Sequence, residues 1–205
     1  MKKLIFAFIL LSTFGSIQAQ KTKEADFVPY KKTLPTIDAD GNVKATDGKT
    51  FKIEGFKDTG TTIFFLVRHT EKDSMGGVQA DLTGVGRGHA DALTKIFKKV
   101  KIAGVYSTAT PRTRNTAAPL AKLKRRPVDI YDVKTQDELV KDLVNRGGGK
   151  RYFIVGHSNT IPQLALETLR GDTNTAPNLP DLEFSKLYIV SVKKVGKAKV
   201  EIINY

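Results

Sequence analysis

An α/β three-layer sandwich, with a mostly parallel central sheet flanked by helices, is the fold class this chain predicts, and three observations predict it. Beyond Gly60, short apolar runs alternate with helical patterns, as in units that feed a parallel sheet. The run Ile63-Phe64-Phe65-Leu66-Val67 is apolar at every position, as a strand buried on both faces requires. Polar groups follow the strand ends, Arg68-His69 first among them, and the C-terminal edge of an open α/β sheet is where ligands bind.

The elements follow in order. Residues 20–60 carry a weak, turn-rich pattern and read as an N-terminal arm with one or two hairpins, the second around Thr50 to Phe56. Asp38-Ala39-Asp40-Gly41-Asn42 resembles a calcium loop, but such a loop needs glycine at its sixth position and Val43 stands there, so a turn is the reading. Thr62 to Arg68 is the first strand of the domain, which spans 61–205. A helix follows over Thr83 to Val100, with Val85, His89, Leu93, Ile96 and Val100 near one face. Ile102 to Tyr106 is a strand, and Thr110-Pro111 then supplies an N-cap and a first-turn proline. That helix runs to about Leu123 with Pro119 as a kink. Val128 to Tyr131 is a strand, Gln136 to Val144 a helix and Arg151 to Gly156 a strand. A helix over Thr160 to Arg170 stops at Gly171, and Leu187 to Val192 with Lys199 to Ile203 form a closing hairpin. No internal repeat is visible.

The N-terminus reads as a targeting segment. Lys2-Lys3, the apolar stretch Leu4 to Leu11 and Ser16-Ile17-Gln18-Ala19 make a basic, then apolar, then small-residue pattern: a secretory signal peptide over 1–19, cut near Ala19. The expectation is a periplasmic or secreted protein with no membrane span, since no stretch approaches the roughly 18 to 20 apolar residues a span needs. The chain has no cysteine, hence no disulfide framework. Its formal charge of +13 becomes +11 without Lys2 and Lys3, an excess that favours anionic partners. Lys95, Lys98, Lys99 and Lys101 have a plainer reading, since cations at a helix end suit its dipole and need no ligand.

Three strand ends carry functional side chains: Arg68-His69, then Ser107 with Arg112, then Gly156-His157-Ser158. Parallel strands bring all three to one edge. Two imidazoles and two guanidiniums at one point cost free energy unless an anion compensates them. A phosphoryl group does so, with its oxygens in the arginine forks and its phosphorus facing an imidazole nitrogen. The helix after Arg112 adds its N-terminal amides and the positive end of its dipole.

The segments L-V-R-H-T-E-K (66–72), D-L-T-G-V-G-R (81–87), V-Y-S-T-A-T-P-R-T-R-N-T-A (105–117) and V-G-H-S-N-T (155–160) resemble, in order, the motif set of the histidine phosphatase superfamily, in its phosphoglycerate-mutase-like branch. One R-H-x-E string alone is weak; four motifs in order on the right elements are specific. The resemblance implies that His69 is a nucleophile forming a phosphohistidine that water hydrolyses. It implies that Arg68, Arg112 and His157 bind the phosphate, with His157 also counted as catalytic, and that no metal or cofactor takes part. The family's proton donor follows either the second histidine or the third strand. Ser158 and Asn159 occupy the first place, which leaves Asp132, with Asp137 and Glu138 as alternatives; each of these acids has a capping or solvated reading beside the catalytic one. Glu71 either orients a side chain near the nucleophile or forms a salt bridge with a site arginine.

The remaining candidates have plainer readings. His89 is a packed side chain on a helix face, and Gly147-Gly148-Gly149-Lys150 lacks the spacing of a phosphate loop and is a turn. Thr116 packs or caps beside Arg112, while Ser107, Thr108 and Arg114 either rim the pocket or finish the turn. The stretches from His69 to Thr83 and from Leu123 to Arg151 are too short for the large insertion that roofs the site in mutases. The expected function is therefore an exported phosphatase acting on phosphomonoesters, with a phosphorylated small molecule or an envelope glycan as partner. The alternatives are a phosphoanion-binding protein without turnover and a phosphatase of protein phosphohistidine. Nucleic acid is not expected, since no stacking aromatics interleave with the basic residues. The sequence sets no oligomeric state.

Overall fold

The computed structural model describes residues 27–205. Residues 1–19, read above as a signal peptide, and the start of the arm lie outside the described residues. Among the described residues nine strands form two sheets: β1 (Thr36–Ile37), β2 (Asn42–Lys44) and β3 (Thr50–Lys52) make a small antiparallel one. The other six are β4 (Thr62–Arg68), β5 (Gly104–Ser107), β6 (Val128–Ile130), β7 (Arg151–Gly156), β8 (Lys186–Val192) and β9 (Lys199–Asn204), in the spatial order β6-β5-β7-β4-β8-β9. β6, β5, β7 and β4 run parallel, and the hairpin β8–β9 adds antiparallel to β4. The expected mostly parallel sheet is thus present, closed on one side by the expected hairpin.

The apolar run in β4 shows how three layers arise from a period of two. Ile63, Phe65 and Val67 point to one side, where they join Phe97, Leu120 and Phe153; Phe64 and Leu66 point to the other, with Leu143, Ile154 and Leu164. The first side is covered by α1 (Gly84–Ile96) and α2 (Pro111–Lys124), the second by α3 (Gln136–Asn145) and the helix after β7. All five side chains of the run are fully buried. At roughly 1.5 to 3 kcal/mol each, this strand alone contributes on the order of 10 kcal/mol. β4 and β7 pair from Ile63–Arg151 to Arg68–Gly156, so their last residues lie side by side.

Two elements depart from expectation. The helix expected over Thr83 to Val100 is capped by Thr83, whose Oγ1 accepts from Gly86 N, and ends at Ile96; Val100 is buried beyond it and Val85 faces solvent. His89, Leu93 and Ile96 face inward as expected, joined by Ala90 and Ala92. The helix after β7 is α-helical only over α4 (Thr160–Pro162) and winds as a π-helix over Gln163–Arg170, ending at Gly171. Gly171 takes φ 91°, the left-handed cap the sequence called for, and its N–H donates to Leu166 O and Glu167 O. Pro119 sits inside α2, which continues through it to Lys124.

Candidate active site

The end of β4 delivers Arg68 and His69 to the sheet edge, both buried, at 6% and 3% exposure. His69 N–H donates to Gly156 O at 3.0 Å, which extends the parallel ladder one residue and sets the ring over the end of β7. His69 Nδ1 lies 2.8 Å from Thr70 O. A carbonyl oxygen only accepts, so Nδ1 carries the proton and Nε2 keeps its lone pair. Thr70 is fastened in turn: its N–H donates to Thr116 Oγ1 (3.0 Å) and its hydroxyl to Gly86 O (2.8 Å). Burial, and then the positive charges of Arg68, Arg112 and His157, hold the His69 pKa at about 3, against 6.5 ordinarily; the bond to Thr70 O is the opposing influence. The ring is therefore neutral at any ordinary pH.

His157 stands at the end of β7, its ring centre 5.7 Å from that of His69. Its Nε2 is 3.0 Å from Thr108 Oγ1, which donates to Thr113 Oγ1 (2.9 Å), which donates to the carbonyls of Thr108 and Thr110. Because that chain ends on acceptors, every hydroxyl in it already spends its proton. His157 Nε2 is then the donor to Thr108, and Nδ1 holds the free lone pair. Burial, then Arg112 and Arg68, lower the His157 pKa to about 4.

The two arginines are anchored by one nitrogen each. Arg68 Nη1 donates to Pro180 O (2.8 Å) and Glu183 O (3.1 Å), and the guanidinium lies over the Phe184 ring at 4.4 Å. Arg112 Nη1 donates to Val78 O at 2.7 Å. The Nε of each is buried without a hydrogen-bond partner among the described residues. Buried polar atoms are ordinarily paired, and an orphaned cationic donor is costly to leave so. Two guanidiniums at one sheet edge, beside two neutral imidazoles, suit an anion. Thr116 Oγ1 donates to Arg112 O (2.8 Å), so α2 positions both Arg112 and the Thr70 loop. Among the described residues, no group of three metal-ligating side chains comes together.

The acids sit elsewhere. Asp132 is exposed and caps the single 3-10 turn Val133–Thr135, its Oδ1 accepting from Lys134 N at 2.9 Å. It follows β6, three places from β4 in the sheet, or roughly 14 Å at the usual strand spacing. Asp137 accepts from Thr168 Oγ1 (2.6 Å), and Glu138 is exposed in the first turn of α3. Glu71 does not bridge to Arg68 or Arg112: its carboxylate accepts from His89 Nδ1 at 3.1 Å, which corrects the salt-bridge alternative. His89 is packed as expected, stacked on Tyr30 at 4.3 Å. Ser107 finishes its turn, donating to Thr108 O, whereas Thr108 reaches His157. The sequence reading passed over the stretch before β8, where Pro180, Glu183 and Phe184 hold Arg68; an aromatic next to the strand start is the one local signal there.

Fold and site together make an α/β sandwich with an Arg-His pair on one central strand and a second histidine on its parallel neighbour. The family model for the Histidine phosphatase superfamily (branch 1) matches residues 64–133. Among solved structures, the protein histidine phosphatase SixA complexed with tungstate aligns at TM-score 0.57 and 18% identity, covering 69% of this chain and 96% of that one. Bacillus stearothermophilus YhfR aligns at 0.55 and 18%, covering 69% and 96%. A mycobacterial glucosyl-3-phosphoglycerate phosphatase aligns at 0.54 and 13%, covering 70% and 99%. These likenesses show a shared fold. No curated protein matches the chain by sequence.

Proposed function

We propose that this chain is an exported phosphatase that hydrolyses phosphomonoesters through a phosphohistidine on His69. The observation that carries the reading is the neutral His69 ring, with its lone pair on Nε2, beside two guanidiniums whose Nε atoms are buried and unpaired. In the first step Nε2 attacks phosphorus as the P–O bond to the leaving group breaks; the leaving oxygen takes a proton from an acid. In the second, water attacks the phosphohistidine, the P–N bond breaks, and inorganic phosphate and free His69 result. Arg68, Arg112 and His157 hold the equatorial oxygens throughout. The sequence pattern proposes Asp132 as that acid, while its place after β6, roughly 14 Å along the edge from β4, argues against direct transfer, and the variant Asp132→Asn decides.

The match to the family model supports phosphatase chemistry, and a tungstate-bound relative of this fold is in keeping with a tetrahedral oxyanion in the pocket. Purified protein is expected to release phosphate from phosphomonoesters and to carry phosphate on His69, detected by mass spectrometry under alkaline quench. His69→Ala should lose at least about 10³-fold in rate. Wild type that performs no better than His69→Ala across alkyl, aryl and sugar phosphates would sink the proposal. A second reading, a protein phosphohistidine as substrate, is favoured by the likeness to SixA; faster phosphate release from a phosphohistidine protein than from any ester would select it. Export rests on the pattern over 1–19, and a mature N-terminus at Gln20 in an extracytoplasmic fraction is its expected signature.

A further inference from the structure

We infer that the leaving group of the substrate is apolar: the site accepts an alkyl or aryl phosphomonoester in preference to a phosphorylated sugar or polyol. The inference rests on the phosphatase reading above and names its substrate class. Among the described residues, the three most exposed large apolar side chains are Met75 (91%), Leu182 (90%) and Val78 (73%). They are not scattered. Val78 supplies the carbonyl that anchors Arg112, and Met75 lies on the same short segment, Ser74–Gln79, which kinks at Gly77 between them. Leu182 lies between Pro180 and Glu183, whose carbonyls anchor Arg68. Each site arginine is thus clasped by the backbone of a loop that turns its largest apolar side chains outward.

The chemistry of transfer says what meets them. Attack by His69 places the leaving oxygen in line with Nε2, on the far side of phosphorus. His69 is buried, so the leaving group extends outward past the arginines, and the loops whose carbonyls anchor those arginines are the surface it meets. Phe184 continues the apolar surface inward, its ring 6.0 Å from that of His69 and beneath the Arg68 guanidinium. A sugar leaving group would set hydroxyls against the apolar side chains of Met75, Leu182 and Phe184, whereas an alkyl or aryl group covers those side chains. Exposed apolar side chains on both loops that hold the site arginines are surface an apolar leaving group would cover.

The test compares kcat/KM for n-octyl phosphate, below its micellar concentration, with that for glycerol phosphate. Wild type is expected to favour the octyl ester by about tenfold or more, and the double variant Met75→Ser, Leu182→Ser to bring the ratio toward one. Ile202→Ser, an exposed apolar site on the edge strand β9, should keep the wild-type ratio. Equal or reversed preference in wild type, or a ratio the double variant does not move, overturns the inference while leaving the phosphatase reading standing. Binding to phosphatidylcholine vesicles that is lost in the double variant, with an unmoved ratio, would give the rim to a lipid surface and also overturns it. Absence of turnover on both esters, with no phosphohistidine, removes the phosphatase reading and this inference with it.

Discussion

His69 and His157 are held neutral, and the consequences can be measured. Their folded pKa values, about 3 and about 4, lie below the ordinary 6.5, so between those limits the unfolded chain binds more protons than the folded one. The stability they contribute is fully present above about pH 6.5 and is lost as pH falls through the folded values. Chemical denaturation at pH 7.5 and pH 5 should show the decrease, and His69→Asn should flatten it. An anion in the site reverses the local balance, because its charge raises the His157 pKa and Nδ1 can then donate to it. Sulfate is a dianion throughout this range, so its binding should tighten from pH 7 to pH 5 with proton uptake, read by calorimetry in buffers of different ionisation enthalpy; pH-independent binding would refute that role for His157. Asp132 poses a separable question. Asn caps a turn about as well as Asp, so Asp132→Asn keeps the bond to Lys134 N and removes only the acid. If Asp132 protonates the leaving oxygen, the variant loses roughly 10² to 10⁴-fold on alkyl phosphates and much less on aryl phosphates, whose leaving groups need little help. Equal rates on both would leave Asp132 with its capping role alone.

At the scale of elements, α1 shows why glycine recurs in D-L-T-G-V-G-R-G. A Cβ on Gly86 would stand 2.1 Å from Glu71 O, and one on Gly88 1.7 Å from Val28 O. Both neighbours are backbone, and the first belongs to the loop that carries the nucleophile. Gly to Ala inside a helix ordinarily stabilises by about 0.5 to 1 kcal/mol. Here the sign reverses: Gly86→Ala and Gly88→Ala should each destabilise by about 1 to 3 kcal/mol in urea denaturation, and only Gly86→Ala should also impair phosphate release. A stabilised Gly86→Ala would mean that the helix does not press on the Glu71 loop. The same contrast explains what the sequence made legible. β4 and β7 could be read to within a residue, because burial on both faces leaves an unbroken apolar run, and His69 and His157 came with them. The end of α1 could not, because Phe97 and Val100 are buried by packing beyond the helix and so extend its pattern falsely. The anchors of Arg68 are backbone carbonyls more than a hundred residues away in Pro180 and Glu183, and a carbonyl carries no side-chain signature.

For the whole molecule, residues 27–60 act as a wall of the domain rather than as a loose arm. β1 and β2 are two and three residues long, too short for alternation to reveal them, yet Ile37, Val43, Ile53 and Phe56 are buried in the same core as Phe65 and Phe97. Ion pairs add a second tie, Lys49 reaching Glu201 on β9, but an exposed pair is worth little beside the apolar contacts. The arm also reaches the back of the site: Val28 N–H donates to Gly84 O at the start of α1, and Tyr30 stacks on His89, the partner of Glu71. Burying four such side chains contributes on the order of 6 to 12 kcal/mol at about 1.5 to 3 each, comparable with the whole stability of a domain, about 5 to 15 kcal/mol. A chain beginning at Gly60, although it keeps every motif residue from Arg68 to His157, should therefore fail to fold: it is expected to be insoluble or to lack a cooperative thermal transition. The variant Ile37→Ala, Phe56→Ala in the full chain separates loss of core from loss of site contacts. It should lower the thermal midpoint sharply, by about 2 to 4 °C for each kcal/mol lost, while retaining phosphate release below its transition. A truncated chain that folds and turns over phosphomonoesters like the full protein would show that the small sheet is an appendage and that the core closes without it.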